Sequence, residues 1–373
     1  MLKKIVFLIR DLNYGGAQRQ LVTLAKILNQ QNFDVTILCF YPHGPLEKDL
    51  INSNIKLISL KKQGRWDLIS FFWRLVQYLK QIQPDVLHGY LTEPNLFTIC
   101  LKPFFPSTRM IWGIRGSNYE CDRHDWRVQL YQQLENLLSH FADLIIVNSH
   151  AGRDDYLTRG FPASKMIVIP NGIDTERFQP NPEAGAKVRQ EWGISENAIL
   201  IGLVGRLDPM KDHPTFLKSA ALLCAERKDV HFVCVGTGSE NYARELHQLT
   251  ANLGISEKVI WAGARSDMPA VHNALDVAIS TSAYGEGFSN TLGEAMACGV
   301  RCIATDVADS AWIIGDAGLV IPPKSPEALT AAIKQFIDNA QFNGKSREDI
   351  RQQVVTRFSV RQLLLKTEAA FLQ

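Results

Sequence analysis

Several devices that announce a protein's chemistry are missing from this chain. It has no C-x-x-C pair and no Cys/His cluster, and no two aspartates are spaced D-x-D. A zinc site is therefore not indicated, nor is the acidic pair that commonly chelates a metal on a diphosphate. No stretch reaches the ~18 consecutive apolar residues of a membrane-spanning helix. The opening MLKKIVFLIRDLNYGG has only Ile5–Ile9 as an apolar core, too short for a signal peptide or a span. No repeat of solenoid period and no low-complexity tract appears. Net charge is only +2, which gives nucleic-acid binding no support. The seven cysteines are an odd number, and Cys39, Cys100, Cys234 and Cys302 lie in apolar runs. They are expected to be reduced, buried thiols of a cytosolic protein.

What is present is ordinary in bulk and patterned in detail. A length of 373 residues suggests two domains. Apolar residues make up 46% and charged residues 21%, as in soluble globular proteins. The charge is uneven: residues 1–180 carry a net +5 and residues 181–373 a net −3. Short apolar runs alternate with segments of helical period. KKIVFLI, DVTILCF, IKLISL, DVLHGY, RMIWGI, ADLIIVNS and MIVIPNG read as strands. A helix follows the Gly15–Gly16 turn, and others are expected over Leu68–Gln81 and Trp126–His140. Gln179–Gly185, QPNPEAG, reads as a linker. The alternation then restarts with AILIGLVG, VHFVCVG, VIWAG, DVAIST, VRCIATD and GLVIPP as strands. Helices are expected over Pro214–Arg227, Asn241–Leu253, Pro269–Ala274 and Pro326–Asn339, with a last segment at Val360–Leu372. Such alternation predicts an α/β protein with two parallel sheets, each covered by helices on both faces. Ligands in such folds lie beyond the strand C-terminal ends.

The candidate chemistry sits at those ends. Gly16, after the first strand, lets the backbone approach a phosphate or a second substrate, or simply makes a tight turn. VGRLDPMKDHP carries Arg206 and Lys211 five residues apart, cations that could neutralise a diphosphate or merely decorate a surface loop. Gly236 in GTGSE and Arg265 in WAGARSDMP occupy equivalent turns. The strongest local signal is YGEGFSNTLGEAMACG, Tyr284–Gly299. Glu286, flanked by Gly285 and Gly287, could accept hydrogen bonds from sugar hydroxyls. The N–H groups of Phe288, Ser289, Asn290 and Thr291 open a helix and suit a diphosphate. Glu294, on that helix, could take ribose hydroxyls. The bland alternative is a solvent-facing glutamate pair. His88, His124 and His150 are acid–base candidates, with His88 best placed at a strand end.

Taken in order, YGGAQRQL, VNSHAGRDDYL, VIPNGIDTERF, VGRLDPMKD, VGTGSE and EGFSNTLGEAMACG resemble the retaining glycosyltransferases of family four over nearly the whole chain. The resemblance implies the GT-B fold, two Rossmann-like domains facing across a cleft. Residues 1–180 would bind acceptor, 181–355 would bind the donor, and 356–373 would return to pack on the first domain. It implies that Arg206 and Lys211 hold the donor diphosphate, Glu286 the sugar and Glu294 the ribose. Reaction would occur on one face of the sugar, with the leaving phosphate helping to deprotonate the acceptor. Two departures stand out. Many members place a histidine soon after the RMIWGI-type strand, where this chain has Arg115, a candidate for donor or acceptor contact. Many have glycine after an Asp-Val pair such as Asp306–Val307, where this chain has Ala308.

The expected activity is transfer of a hexose-type sugar from a nucleotide sugar, UDP-glucose or a related UDP-sugar, to a saccharide acceptor. No cofactor or metal is expected. The acceptor is read as lipid-linked, in surface polysaccharide synthesis. Lys61–Lys80 mixes basic and large apolar side chains. It would either touch an anionic membrane at the cytoplasmic face or bury its apolar side in the domain core. Competing readings are a nucleotide-sugar 2-epimerase, a sugar phosphorylase, or a nucleotide-sugar-binding regulator without turnover.

Overall fold

The computed structural model describes residues 2–31, 33–64, 66–116, 126–339 and 345–372. The chain forms two compact units, Met1–Gly172 with Val360–Gln373, and Ile173–Ser359. In the first unit the strands are β1 (Lys3–Ile9), β2 (Phe33–Cys39), β3 (Lys56–Ser59), β4 (Val86–Tyr90), β5 (Arg109–Ile114), β6 (Leu144–Val147) and β7 (Met166–Val168). They form one sheet in the order β3-β2-β1-β4-β5-β6-β7, and each pairing is parallel. Its helices are α1 (Gly16–Asn29), α2 (Leu68–Ile82), α3 (Thr92–Leu101), α4 (Trp126–Ser139) and α5 (His150–Thr158).

The second sheet runs β10-β9-β8-β11-β12-β13. Its strands are β8 (Ile199–Val204), β9 (Val230–Val235), β10 (Val259–Gly263), β11 (Val277–Ser280), β12 (Arg301–Thr305) and β13 (Leu319–Ile321). The helices are α6 (Pro182–Glu191), α7 (His213–Glu226), α8 (Glu240–Asn252), α9 (Met268–Ala274), α10 (Asn290–Ala297), α11 (Ser310–Ile314), α12 (Pro326–Asp338) and α13 (Arg347–Phe358). Helix α14 (Val360–Leu372) closes the chain in the first unit.

Strand alternation builds a core on each sheet face. On β1, Ile5, Phe7 and Ile9 pack toward α1 and α14, while Val6 and Leu8 pack toward α2 and α3. In the second unit one face packs on α6, α9, α10 and α13, the other on α7, α8 and α12. Both faces being buried, the strands carry near-continuous apolar runs, which made them legible.

Five helices went unread, α6 among them as a linker. Helix α3 has a mixed buried face, because Asn95 exchanges hydrogen bonds with Gly113 and Thr98 accepts from Trp112 Nε1. Helices α5 and α11 are short. Helix α13 did show a signal: Ser346 and Asp349 form a capping box, and Ile350, Val354 and Phe358 recur every four residues. The linker reading also needs correction. Pro182 starts α6, and Asn181 caps it by accepting from the Ala184 N–H at 3.0 Å.

The division falls earlier than residue 180. Ile173 N–H donates to the Phe358 carbonyl at 2.7 Å, and Arg351 donates to the carbonyls of Thr175 and Phe178. These bonds place 173–178 in the second unit. The return begins at Val360 rather than 356. Lys3 donates to the Phe371 carbonyl and Arg109 to that of Ala370, both at 2.6 Å. Cys100 is exposed, against expectation, because it lies on the outer side of α3; Cys39, Cys224, Cys234, Cys298 and Cys302 are buried.

Replacing the Asn181 cap tests the corrected boundary. Asn181→Ala should lower unfolding free energy by about 1 kcal/mol, and Asn181→Asp should restore it. Urea titration measures both.

Candidate functional site

In the second sheet the strand order reverses between β8 and β11, the position at which doubly wound sheets hold ligands. The loop after β8 carries Arg206 and a 3₁₀ turn, Pro209–Lys211. Asp208 caps that turn through the Met210 N–H. Asp212 takes a left-handed conformation, φ 46°, and caps α7. Two bonds from the β11 loop hold this turn: Thr281 Oγ1 donates to the Lys211 carbonyl at 2.7 Å, and Ala283 N–H to that of Met210 at 2.8 Å. The Lys211 ammonium donates to Glu286 Oε1.

Ser282 completes this cluster, and the sequence reading missed it. Its buried hydroxyl donates to Glu286 Oε1 at 2.7 Å. Its carbonyl in turn accepts from Thr305 Oγ1 at 2.6 Å. A serine four residues before a glutamate is too common to stand out, so no sequence signal marked it. Burial opposes ionisation of Glu286. The Lys211 charge, the hydrogen bonds from Lys211 and Ser282, and the Arg206 charge outweigh it and hold the carboxyl below its ordinary value. Arg206 itself is exposed, with Asp208 at 3.7 Å. The glycine before Glu286 is needed for space: Gly285 has φ 72°, and a Cβ there would lie 2.7 Å from Met210 Sδ.

Beyond Gly287, Phe288 anchors the chain in the core, its ring 5.2 Å from that of Phe358. Ser289 is the N-cap of α10 in extended conformation, but its side chain makes no capping bond. Its hydroxyl lies 3.4 Å from Thr291 Oγ1 instead. The first N–H groups of α10, from Asn290 onward, thus begin a helix without a side-chain cap, suited to an anion. Glu294 lies one turn further, its Oε2 3.5 Å from Nε2 of buried His272. Arg206, Lys211, Glu286, the start of α10 and Glu294 therefore belong to one unit, on two neighbouring loops and the helix that follows the second.

The other expected residues have these places. Gly236 has φ 143°, and a Cβ there would lie 2.0 Å from the Gly205 carbonyl oxygen. GTGSE is thus a backbone-packing turn that supports the Arg206 loop. Arg265 is committed to Glu191 and Asp267, which ties the start of α9 to α6. Gly16 is the first residue of α1, in the other unit. Ala308 takes φ 52°, where glycine would sit without strain, at a cost of roughly 1–2 kcal/mol.

His88 is not an acid–base group. It is fully buried in the first unit between Phe7, Tyr90 and Phe371. Neither ring nitrogen has a hydrogen-bond partner among the described residues. Burial, with the nearby Arg115 charge, pushes its pKa well below the usual value. His150 is exposed at the first position of α5, and His124 lies outside the described residues. Arg115, just past β5, stacks 4.3 Å over the Tyr90 ring and has Nη1 3.5 Å from Asn171 Oδ1. Its Nε is buried without a hydrogen-bond partner among the described residues. Glu135 on α4 was also missed: burial raises its pKa to about 7 despite the Thr92 hydrogen bond.

Two stability tests follow from this geometry. Lys211→Met orphans a buried carboxylate and should cost about 3–5 kcal/mol at pH 7, whereas Arg206→Ala, at an exposed pair, should cost less than ~1 kcal/mol. Denaturant titration compares them. His88 takes up a proton when unfolded but resists one when folded. Its stabilisation is therefore complete above the unfolded pKa, near 6.5, and is lost as pH falls below it, by ~1.4 kcal/mol per pH unit. His88→Leu should flatten that part of the stability–pH curve between pH 6.5 and 5.

Comparison with known proteins bears on family and fold. Residues 14–177 match the domain described as Glycosyltransferase Family 4, and residues 186–355 the domain described as Glycosyl transferases group 1. The chain is 24% identical to the UDP-Gal:alpha-D-GlcNAc-diphosphoundecaprenol alpha-1,3-galactosyltransferase of Escherichia coli, over 93% of this chain and 90% of that protein. It is 25% identical, over 91% of each, to the N-acetylgalactosamine-N,N'-diacetylbacillosaminyl-diphospho-undecaprenol 4-alpha-N-acetylgalactosaminyltransferase of Campylobacter jejuni. The fold matches that of Anabaena Alr3699/HepE in complex with UDP-glucose, with a TM-score of 0.86 over 98% of each chain at 23% identity. Two matched domains spanning nearly the whole length, on two parallel Rossmann-like sheets, make this chain a member of the family 4 glycosyltransferases with the GT-B fold.

Proposed function

We propose that the chain transfers a hexose-type sugar from a UDP-sugar, UDP-glucose or a relative of it, to a lipid-linked saccharide during surface polysaccharide synthesis. Transfer proceeds with retention at the anomeric carbon and without a metal, in the cytoplasm at the inner face of the membrane. The observation that carries the reading is the Lys211–Glu286–Ser282 cluster set beside the uncapped start of α10. The choice of donor and acceptor is supported by the activity of the Escherichia coli relative, which takes UDP-Gal and a diphosphoundecaprenol-linked sugar.

The residues divide the work. Glu286, kept ionised by Lys211 and Ser282, accepts hydrogen bonds from hydroxyls of the donor sugar. An ammonium has three N–H donors, so Lys211 reaches the diphosphate while still holding Glu286. Arg206 and the N–H groups at Asn290 and Thr291 face the same anion. Charge grows on the diphosphate as the glycosidic bond breaks, and these fixed donors stabilise it. The departing phosphate oxygen takes the acceptor proton on the same face of the sugar, which retains configuration. Glu294, its Oε2 3.5 Å from His272 Nε2, holds the ribose. Arg115, a guanidinium with no ion pair among the described residues, contacts the acceptor.

Calorimetry across UDP-, GDP- and ADP-sugars checks the donor, and UDP-sugars should bind most tightly. Glu294→Ala should weaken UDP binding by ~1.5–3 kcal/mol. Arg206→Ala should lower kcat roughly 10²–10³-fold with the fold intact. Activity should persist in excess EDTA. UDP affinity unchanged in Glu294→Ala would remove the ribose role. Chelator loss reversed by manganese would remove metal independence.

A further inference from the structure

The first unit carries an apolar face that no core uses. On α2, Phe71, Leu75, Val76 and Leu79 are buried, yet the opposite side presents Ile69 and Trp73 to solvent, with Leu68 exposed at the first position of the helix and Trp66 just before it. The core reading of Lys61–Lys80 therefore holds for one side of the helix, while Ile69 and Trp73 remain exposed. Trp73 and the half-buried Phe72 pack edge-on against exposed Phe104, at 6.0 and 5.7 Å. Two residues before Phe104, Lys102 donates to the Phe141 carbonyl at 2.8 Å, which joins this cluster to the end of α4.

Helix α4 continues the surface. Leu130, Leu134 and Leu137, with Phe141 in the turn after it, are exposed at spacings of four, three and four residues. Such spacing lines up side chains on one face, over ~17 Å of helix. The inner side of α4 is already occupied by buried Glu135 and Ser139 and half-buried Leu138. A helix apolar on its outward side needs another environment there, and an apolar tract of this extent marks an interaction surface.

Charge decides which partner. The acids in the tract are neutralised locally, Asp67 by Arg74 at 2.5 Å and Asp143 by Lys102 at 2.5 Å. Lys61 and Lys80 are exposed at its edges. Exposed tryptophans and leucines rimmed by lysines fit a lipid interface with anionic headgroups. We infer that the outer faces of α2 and α4, joined through Phe104 and Phe141, are the membrane-docking surface of this protein, and that it lies flat on an anionic leaflet. The inference deepens the proposed function, on which it rests only in the choice of a membrane-held acceptor.

Sedimentation with phosphatidylglycerol vesicles tests it, against phosphatidylcholine vesicles and at low and high salt. Wild type should pellet with the anionic vesicles. High salt should weaken binding without abolishing it, because insertion of the aromatic and leucine side chains is not screened. Leu134→Gln/Leu137→Gln and Trp66→Ala/Trp73→Ala should each weaken vesicle binding at least tenfold. Both should keep the wild-type melting temperature and rate of UDP-sugar hydrolysis in solution, since the altered side chains are exposed and outside the donor site. Wild type that stays in the supernatant would overturn the inference, as would variants that pellet equally well. A concentration-dependent dimer abolished by Leu134→Gln/Leu137→Gln, with no vesicle binding, would assign the face to a second copy instead. Vesicle binding is read without donor or acceptor, so its failure is separate from any failure of the transferase reading.

Discussion

The ion pair between Lys211 and Glu286 holds the candidate site together. It joins the loop after β8 to the loop after β11, the two strands between which the second sheet reverses its order. Neither charge would be stable alone at this depth, since removing a buried ion from water costs several kcal/mol. Together, with Ser282 supplying a third contact, they fix a carboxylate in its ionised form where a sugar hydroxyl could meet it. Around the pair the backbone is closely fitted. Gly285 makes room for Met210, Gly236 makes room for the Gly205 carbonyl, and Thr281 clips the Lys211 turn. The glycines here serve the approach of one loop to another.

The two cations of the second unit have different jobs because they differ in burial. Lys211 is nearly enclosed and is paired by a carboxylate, so it contributes to both folding and the field at the site. Arg206 stands in solvent with a distant partner and is free to reorient toward an anion. Arg265, by contrast, is consumed by Glu191 and Asp267 and acts as a strut. Residue type and loop position are alike in all three; the neighbours separate them.

The first unit shows how a parallel sheet can hide polar groups. His88 occupies the middle of β4 and packs among aromatic rings as a neutral side chain. Arg115 stacks on Tyr90 at the end of the neighbouring strand and keeps its guanidinium without a counter-ion among the described residues. Outside the sheet, α2 and α4 carry apolar side chains on both their inner and outer sides. The inner sets close the core, and the outer sets leave Ile69, Trp73, Leu130, Leu134 and Leu137 exposed.

The strands could be read directly, because a sheet covered on both faces demands unbroken runs of Val, Ile and Leu. The EGFSNTLGEAMACG motif placed Glu286 and Glu294 correctly on a loop and the helix after it, since glycine and helix formers mark that transition locally. The sequence by itself thus determined the two-sheet architecture, the order of its strands and the loop and helix that carry Glu286 and Glu294. Asn181–Pro182 misled, because the same dipeptide serves a linker and a helix start, and only the Ala184 N–H shows which. Ser282 was invisible, as its meaning is a contact with Glu286. His88 was misplaced, since a strand residue's position along the chain does not reveal whether it ends in a core or at a ligand. Tertiary structure alone decided which charges pair, which histidine is dehydrated and which leucines of α4 face outward. Pairing and burial depend on what the rest of the fold brings within a few ångströms, and local pattern carries no record of that.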